Sequence, residues 1–161
     1  MKSWLKRLTE AAMAICLALM AALVFVNVVL RYGFGEGIAA SEELSRLLFV
    51  WMVFIGATAA YPAGEHMAFT SLLLPLRARP RAFAAITALI RLLVLLACAL
   101  VAWGAWQQFV VGLDSRSVVL GYPTALLPLP ALLASVAIGV MALVELVGRT
   151  PLHLGHAADF E

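Results

Sequence analysis

Charged residues are scarce in this sequence. Asp, Glu, Lys and Arg together make up 12% of its 161 residues, against roughly 25% in an ordinary soluble domain. Hydrophobic residues make up 65%, and mean hydropathy is +1.03. Such a chain has too few polar side chains to cover a core in water, so the composition excludes a soluble globular domain and predicts a membrane protein.

The groups that catalysis and metal binding require are also missing. Cys16 and Cys98 both fall inside apolar runs, without the spacing of a redox motif or a neighbouring metal ligand, and are predicted to be packing residues. No histidine lies inside a predicted span, as a haem anchor would require. No zinc-ligand cluster, G-x-S-x-G motif or glycine-rich phosphate loop occurs. We expect a chain that is not an enzyme, with no cofactor, metal site or nucleic-acid partner.

Long runs without charge are what the sequence does contain. They are 11–30, 47–64, 92–113 and 117–144, and the shortest has 18 residues. A hydrocarbon core about 30 Å thick needs about 20 apolar residues at about 1.5 Å rise each, so each run can cross once. The sequence predicts an all-α integral membrane protein, a single membrane domain over 1–161, with transmembrane helices at about 9–30, 42–61, 83–109 and 129–147.

The residues at the ends of these runs lead to further predictions. The run 11–30 is longer than the roughly 7 to 15 apolar residues of a signal peptide, and its end, V-V-L-R-Y-G-F-G, has no A-x-A site, so it is predicted to be a retained helix. Pro62 is predicted to break the second helix, and the apolar stretch 67–76 is too short to span but could form a short interfacial helix. Pro123, Pro128 and Pro130 predict an irregular segment before the fourth span.

Orientation follows from the basic residues of the loops. With the N-terminus inside, the outer loops hold only Arg31 and Arg116. The cytoplasmic segments hold seven basic residues: Lys2, Lys6, Arg7, Arg77, Arg79, Arg81 and Arg149. Both termini are therefore predicted to be cytoplasmic.

The second span opens with three charges in the sequence SEELSR at 41–46. Ser41 is predicted to be the N-cap, with Glu42 and Glu43 in the first turn, where carboxylates favour the helix dipole. Arg46 is then spaced to pair with either acid. In one interpretation this is a local cap and salt bridge only. In the other, because Arg46 lies just within the membrane, the cluster also engages another helix or a partner subunit, with Arg31 as a second cation.

Polar and small residues within the spans have more ordinary interpretations. Asn27 is predicted to make a hydrogen bond between helices, and Trp51 to serve packing or lipid contact. Small residues spaced four apart let helices approach closely, and they occur as Gly56 and Ala60 and as Ala131, Ser135 and Gly139.

Elimination favours a subunit over a carrier. A proton-coupled exporter needs an ionisable residue near the middle of a span, and none of the four runs has one. No internal repeat occurs, which argues against the repeated architecture of many secondary transporters. The favoured interpretation is a non-catalytic membrane subunit that holds another protein. The alternatives are a small multidrug-type carrier acting as a homodimer and an anchoring subunit of a membrane enzyme.

Several short motifs, in order, resemble a known family. They are N-V-V-L-R-Y at 27–32, E-E-L-S-R at 42–46, V-W-M-V-F-I-G-A at 50–57, G-E-H at 64–66 and L-G-Y-P at 120–123. Together they resemble the small permease subunit of tripartite ATP-independent periplasmic (TRAP) transporters. The resemblance departs at A-Y-P-A-G-E-H, where a basic residue is expected in place of Pro62.

This resemblance implies partners and a location. The partners are a large permease subunit that carries the transport pathway, a periplasmic substrate-binding protein that delivers an organic acid, and the lipids of the bacterial inner membrane. Uptake is driven by an ion gradient, commonly sodium, and the small subunit scaffolds the large one and contributes to docking of the binding protein. The predicted partner-interface and structural residues are Asn27, Arg31, Glu42, Glu43, Arg46, Gly56, His66 and Pro123.

Overall fold

The computed structural model describes residues 3–63 and 80–148, and this part of the chain is all-α. Its helices are α1 (Ser3–Phe34), α2 (Ala39–Ala63), α3 (Pro80–Leu113) and α4 (Leu129–Val147), with a 3₁₀ turn at Thr124–Leu126 before α4. Four segments are long and apolar enough to cross a membrane: Lys6–Phe34, Ala39–Pro62, Phe83–Leu113 and Thr124–Val147. The prediction of four transmembrane helices is confirmed.

Three helices are longer than their predicted spans, and α1 and α3 exceed them by the most. α1 has 32 residues and α3 has 34, which at about 1.5 Å per residue gives about 48 and 51 Å, more than the hydrocarbon core requires. A charged residue marks the edge of the apolar run but does not end a helix. α1 ends instead where Gly35 adopts a φ of +82°, a left-handed conformation that suits glycine at a helix C-terminus. Pro62, which was predicted to break α2, lies inside its last turn.

The principal contacts join α1 to α2, α2 to α4 and α4 to α3. Small residues make the α3–α4 contact close, since a Cβ on Gly139 would lie 3.5 Å from the Cβ of Cys98. Ala105 of α3 and Ala134 and Ala142 of α4 are buried. Large side chains point outward from every helix, and none in the described part of the chain is completely buried. The chain therefore forms a single row of helices and does not enclose a thick core.

Candidate partner interface

Asn27 fixes the start of the second helix from the first. The Ile38 N–H donates a hydrogen bond of 2.6 Å to Asn27 Oδ1. A Cβ on Gly37 would lie 3.0 Å from the same oxygen, so glycine allows the loop to approach. The hydrogen bond between helices predicted for Asn27 thus runs from α1 to the backbone that begins α2, where an unpaired N–H group needs an acceptor.

The prediction that Ser41 is the N-cap is wrong. α2 begins at Ala39, so Ser41 lies in its first turn, and the Ser41 N–H donates to the Ile38 carbonyl at 3.0 Å. The Ser41 hydroxyl is buried and has no hydrogen-bond partner among the described residues. Because Asn27 supplies a side-chain oxygen from another helix, α2 starts three residues earlier than a cap at Ser41 would place it.

Glu43 reaches across to the connection between α3 and α4. Its Oε2 accepts a hydrogen bond of 3.0 Å from the Leu120 N–H. In the part of the chain that the structure describes, no carboxylate lies within 4.0 Å of the Arg46 guanidinium, so the predicted ion pair of Arg46 with Glu42 or Glu43 is wrong. The carboxylate is engaged by a backbone amide, and Arg46 remains exposed.

Arg31 and Glu42 both line a small cavity at this same end of the molecule. The cavity has a volume of about 210 Å³ and is lined by Asn27, Arg31, Gly37, Ile38, Ala39 and Glu42. Both charged side chains are exposed. Arg31 therefore does lie close to the charged start of α2, next to Glu42.

Residues 114–123 form a short hairpin that we call the outer hairpin, because the sequence predicts this loop on the outer side of the membrane. An isolated antiparallel bridge joins Arg116 to Pro123, and the Ser117 N–H donates to the Tyr122 carbonyl at 2.8 Å. Gly121 has a φ of +69°, which the reversal of the chain requires. Val118 stands at the tip with 98% of its surface exposed. The segment is irregular, as predicted, and Pro123 closes it just before the 3₁₀ turn.

The 3₁₀ turn is held against two helices. A Cβ on Gly112 would lie 2.5 Å from the Ala125 nitrogen, so only glycine allows the end of α3 to pass so near. The Trp51 indole N–H donates to the Leu126 carbonyl at 3.2 Å. Trp51 also borders an apolar cavity of about 330 Å³ between α1, α2 and α4. It is thus a packing residue with one structural hydrogen bond.

The remaining predicted residues fall in different places. Gly56 faces α1, where a Cβ would lie 3.1 Å from the Met13 sulfur. His66 and the predicted interfacial helix at 67–76 lie outside the described residues. The structure thus brings together Asn27, Arg31, Glu42, Glu43, Arg46 and Pro123 at one end of the row, with Gly56 deeper in the α1–α2 contact.

Sequence reasoning missed a polar cluster at the opposite end. Arg91 Nη2 lies 3.6 Å from Glu145 Oε2, and Arg91 Nη1 donates to the Glu145 carbonyl at 2.9 Å. The Tyr61 hydroxyl donates to Glu145 Oε2 at 3.4 Å. The Arg91 side chain is only 5% exposed. A signal was present: Arg91 and Glu145 have opposite charge and bound their apolar runs on the same predicted side of the membrane.

These features define a multi-pass membrane protein with apolar outer faces and polar contacts between elements near both ends of its helices. The chain matches the family described as Tripartite ATP-independent periplasmic transporters, DctQ component, over residues 20–151. It is 36% identical over 131 residues to a TRAP transporter small permease protein of Haemophilus influenzae, covering 81% of this chain and 80% of that protein. A second such protein of that organism is 31% identical over 134 residues, covering 83% and 80%.

The chain therefore belongs to the family of small permease subunits of TRAP transporters. Membership implies association with a large permease and a substrate-binding protein in the same transporter.

Proposed function

We propose that this chain is the non-catalytic scaffold of an ion-gradient-driven organic acid transporter in the bacterial inner membrane. It holds the large permease subunit and widens the part of the complex that stays fixed. The observation that carries this proposal is the single row of helices, in which every helix exposes large apolar side chains. Phe25 of α1, Leu100 of α3 and Val144 of α4 are 69%, 65% and 65% exposed. Such faces suit contact with lipid or with partner helices.

The outer end of the row is the proposed docking surface for the periplasmic binding protein. Charges of both signs are exposed there, on Arg31, Glu42 and Arg46. The outer hairpin projects beside them and is held by its own backbone hydrogen bonds and by Glu43. A preformed surface with mixed charges favours reversible docking, because little ordering is needed on binding and opposite charges can steer the encounter.

Both termini are proposed to lie in the cytoplasm. The outer hairpin and the start of α2 then face the periplasm, and the Arg91–Glu145 pair lies near the cytoplasmic surface. This orientation rests on the distribution of Lys and Arg between the loops.

Charge reversal at the start of α2 tests the proposal. Arg46→Glu and Glu43→Lys are each expected to reduce both the large permease that co-purifies and the rate of uptake by the complete transporter. Glu43→Gln is the matched control, since its amide oxygen still accepts a hydrogen bond from the Leu120 N–H. A full complement of large permease and full uptake in both reversed variants would rule out this surface as an interface.

A further inference from the structure

Two glutamine side chains on α3 have no hydrogen-bond partner in the described part of the chain. Gln107 and Gln108 are both exposed, and within the described residues neither side chain makes a hydrogen bond. Asp114, the next charged residue, lies six positions beyond Gln108, or about 9 Å along the helix. The outer hairpin that Asp114 begins is level with the charged start of α2, because Leu120 hydrogen-bonds to Glu43. Both amides lie in the charge-free run 92–113 and within the segment Phe83–Leu113, which is apolar enough to cross a membrane, so we place them in the membrane-spanning part of α3.

Direct contact with lipid would be unfavourable for these two amides. An amide without a hydrogen-bond partner is costly in an apolar medium. Lys and Arg can extend to the headgroups from such a depth, but a glutamine side chain is too short to cross that distance. Polar residues within spans almost always face other helices or a cavity.

A glycine lies one turn from the two glutamines. A Cβ on Gly104 would meet nothing within 4 Å, so no close contact within this chain requires glycine there. Glycine inside a helix costs about 1 kcal/mol relative to alanine. In membrane proteins, glycine at a helix surface lets the backbone of a second helix approach closely.

Helical spacing places these residues on one side of α3. We define the glutamine face as Ala97, Val101, Gly104, Gln108 and Val111. Gln107 lies with Leu100 on the border between this face and the second open face. The tryptophan face, on the other open side, consists of Leu96, Ala99, Trp103, Trp106 and Val110. Between the two faces, Cys98 and Ala105 point toward α4. The two open faces differ at residues 103–108, since one carries Gly104 and Gln108 there and the other carries Trp103 and Trp106.

We propose that the glutamine face of α3 packs against a membrane-spanning helix of the large permease subunit. That helix comes closest at Gly104 and supplies hydrogen-bonding groups to Gln107 and Gln108, while the tryptophan face meets lipid. This inference rests on the proposed scaffold function and specifies which face of α3 performs it.

A competition experiment tests whether the glutamine face contributes to the affinity for the large permease. Two differently tagged small subunits, one of them wild type, are co-expressed with a limiting amount of large permease, and their ratio in the purified complex is measured. Gly104→Leu is expected to lower the variant's share about tenfold or more, because the added side chain fills the space of the approaching helix. Replacing Gln107 and Gln108 together by Leu is expected to lower it about threefold to tenfold.

Ala99→Leu on the tryptophan face is the matched control and is expected to compete equally with wild type. Each variant is also purified alone, and its yield and elution profile must match wild type, as the open space at Gly104 predicts. A Gly104→Leu variant that is folded and competes equally would overturn the inference.

Photo-crosslinking identifies the neighbour directly in the assembled transporter. A benzophenone amino acid at Val101 or Val111 is expected to form an adduct with the large permease, and the same probe at Leu96 or Val110 is not. An adduct with a second copy of this chain, or protein adducts from the tryptophan face alone, would overturn the assignment of the face. If wild type retains no large permease at all, the scaffold function itself fails, which is a distinguishable result.

Discussion

At the scale of single residues, Asn27 and Glu43 perform the same structural task from different helices. Each has a side-chain oxygen that accepts a hydrogen bond from the backbone of a connection, at Ile38 and at Leu120. Their acceptor capacity is thus used within the chain. We therefore expect direct partner contacts at this end from the exposed charges of Arg31, Glu42 and Arg46, whereas Glu43 supports them by holding the outer hairpin in place.

Two glycines of α3 lead to opposite predictions for the purified chain in detergent. Gly112→Ala places its Cβ 2.5 Å from the nitrogen and 2.7 Å from the Cα of Ala125, and these backbone atoms cannot move aside easily. We expect a loss of stability of about 1–3 kcal/mol. Gly104→Ala meets open space, so it is expected to raise stability by about 0.5–1 kcal/mol. Thermal unfolding followed by circular dichroism measures both, and similar shifts in the two variants would contradict the close approach at Gly112.

At the scale of helices, the Arg91–Glu145–Tyr61 cluster joins α3, α4 and α2. Arg91 is buried in this cluster, while the Glu145 side chain is 39% exposed. Breaking the pair is costly chiefly because it leaves the buried guanidinium without its carboxylate partner. We expect Arg91→Met and Glu145→Gln each to destabilise the α3–α4 contact. The double variant is expected to cost less than the sum of the single changes, by about 1 kcal/mol or more. The readout is the thiol reactivity of Cys98, which lies against Gly139 in that contact.

A second ion pair in the chain provides the control for this cycle. Lys6 Nζ lies 3.9 Å from Glu10 Oε1, one helical turn further along α1. The two side chains are 60% and 55% exposed. Exposed pairs contribute little, so the cycle of Lys6→Met and Glu10→Gln is expected to show little coupling. The measurements use a Cys16→Ala background so that only one thiol reacts. Additive effects at Arg91 and Glu145 would show that the pair does not hold α3 to α4.

The sequence was sufficient to predict the helices because each charge-free run has the length of one crossing. It was insufficient for the ends of α2, where local rules paired Arg46 with its near neighbours and capped the helix with Ser41. The contacts that decide these positions are distant in sequence: 11 residues separate Asn27 from Ile38, and 77 separate Glu43 from Leu120. Which loop meets which helix end depends on the packing order of the helices, and a single sequence does not specify that order.

At the scale of the whole molecule, the row of helices is braced at both ends. Glu43 links α2 to the outer hairpin at one end, and Arg91 links α3 to α4 at the other. Small residues bring α3 and α4 together between these ends. Because polar contacts act at the helix ends and close packing acts in the middle, the α2–α4–α3 part of the row should move as one body. That property suits a component that stays fixed while another subunit moves.

The orientation of this row gives the last prediction. Val118, at the exposed tip of the outer hairpin, is replaced by Cys in a variant that lacks Cys16 and Cys98. If the hairpin faces the periplasm, a membrane-impermeant maleimide added to intact spheroplasts should label Cys at this position. The same reagent should label Ser3→Cys only after the membrane is permeabilised, because the N-terminus is predicted to be cytoplasmic. The reverse pattern would invert the topology and place the charged start of α2 on the cytoplasmic side, where a periplasmic binding protein has no access to it.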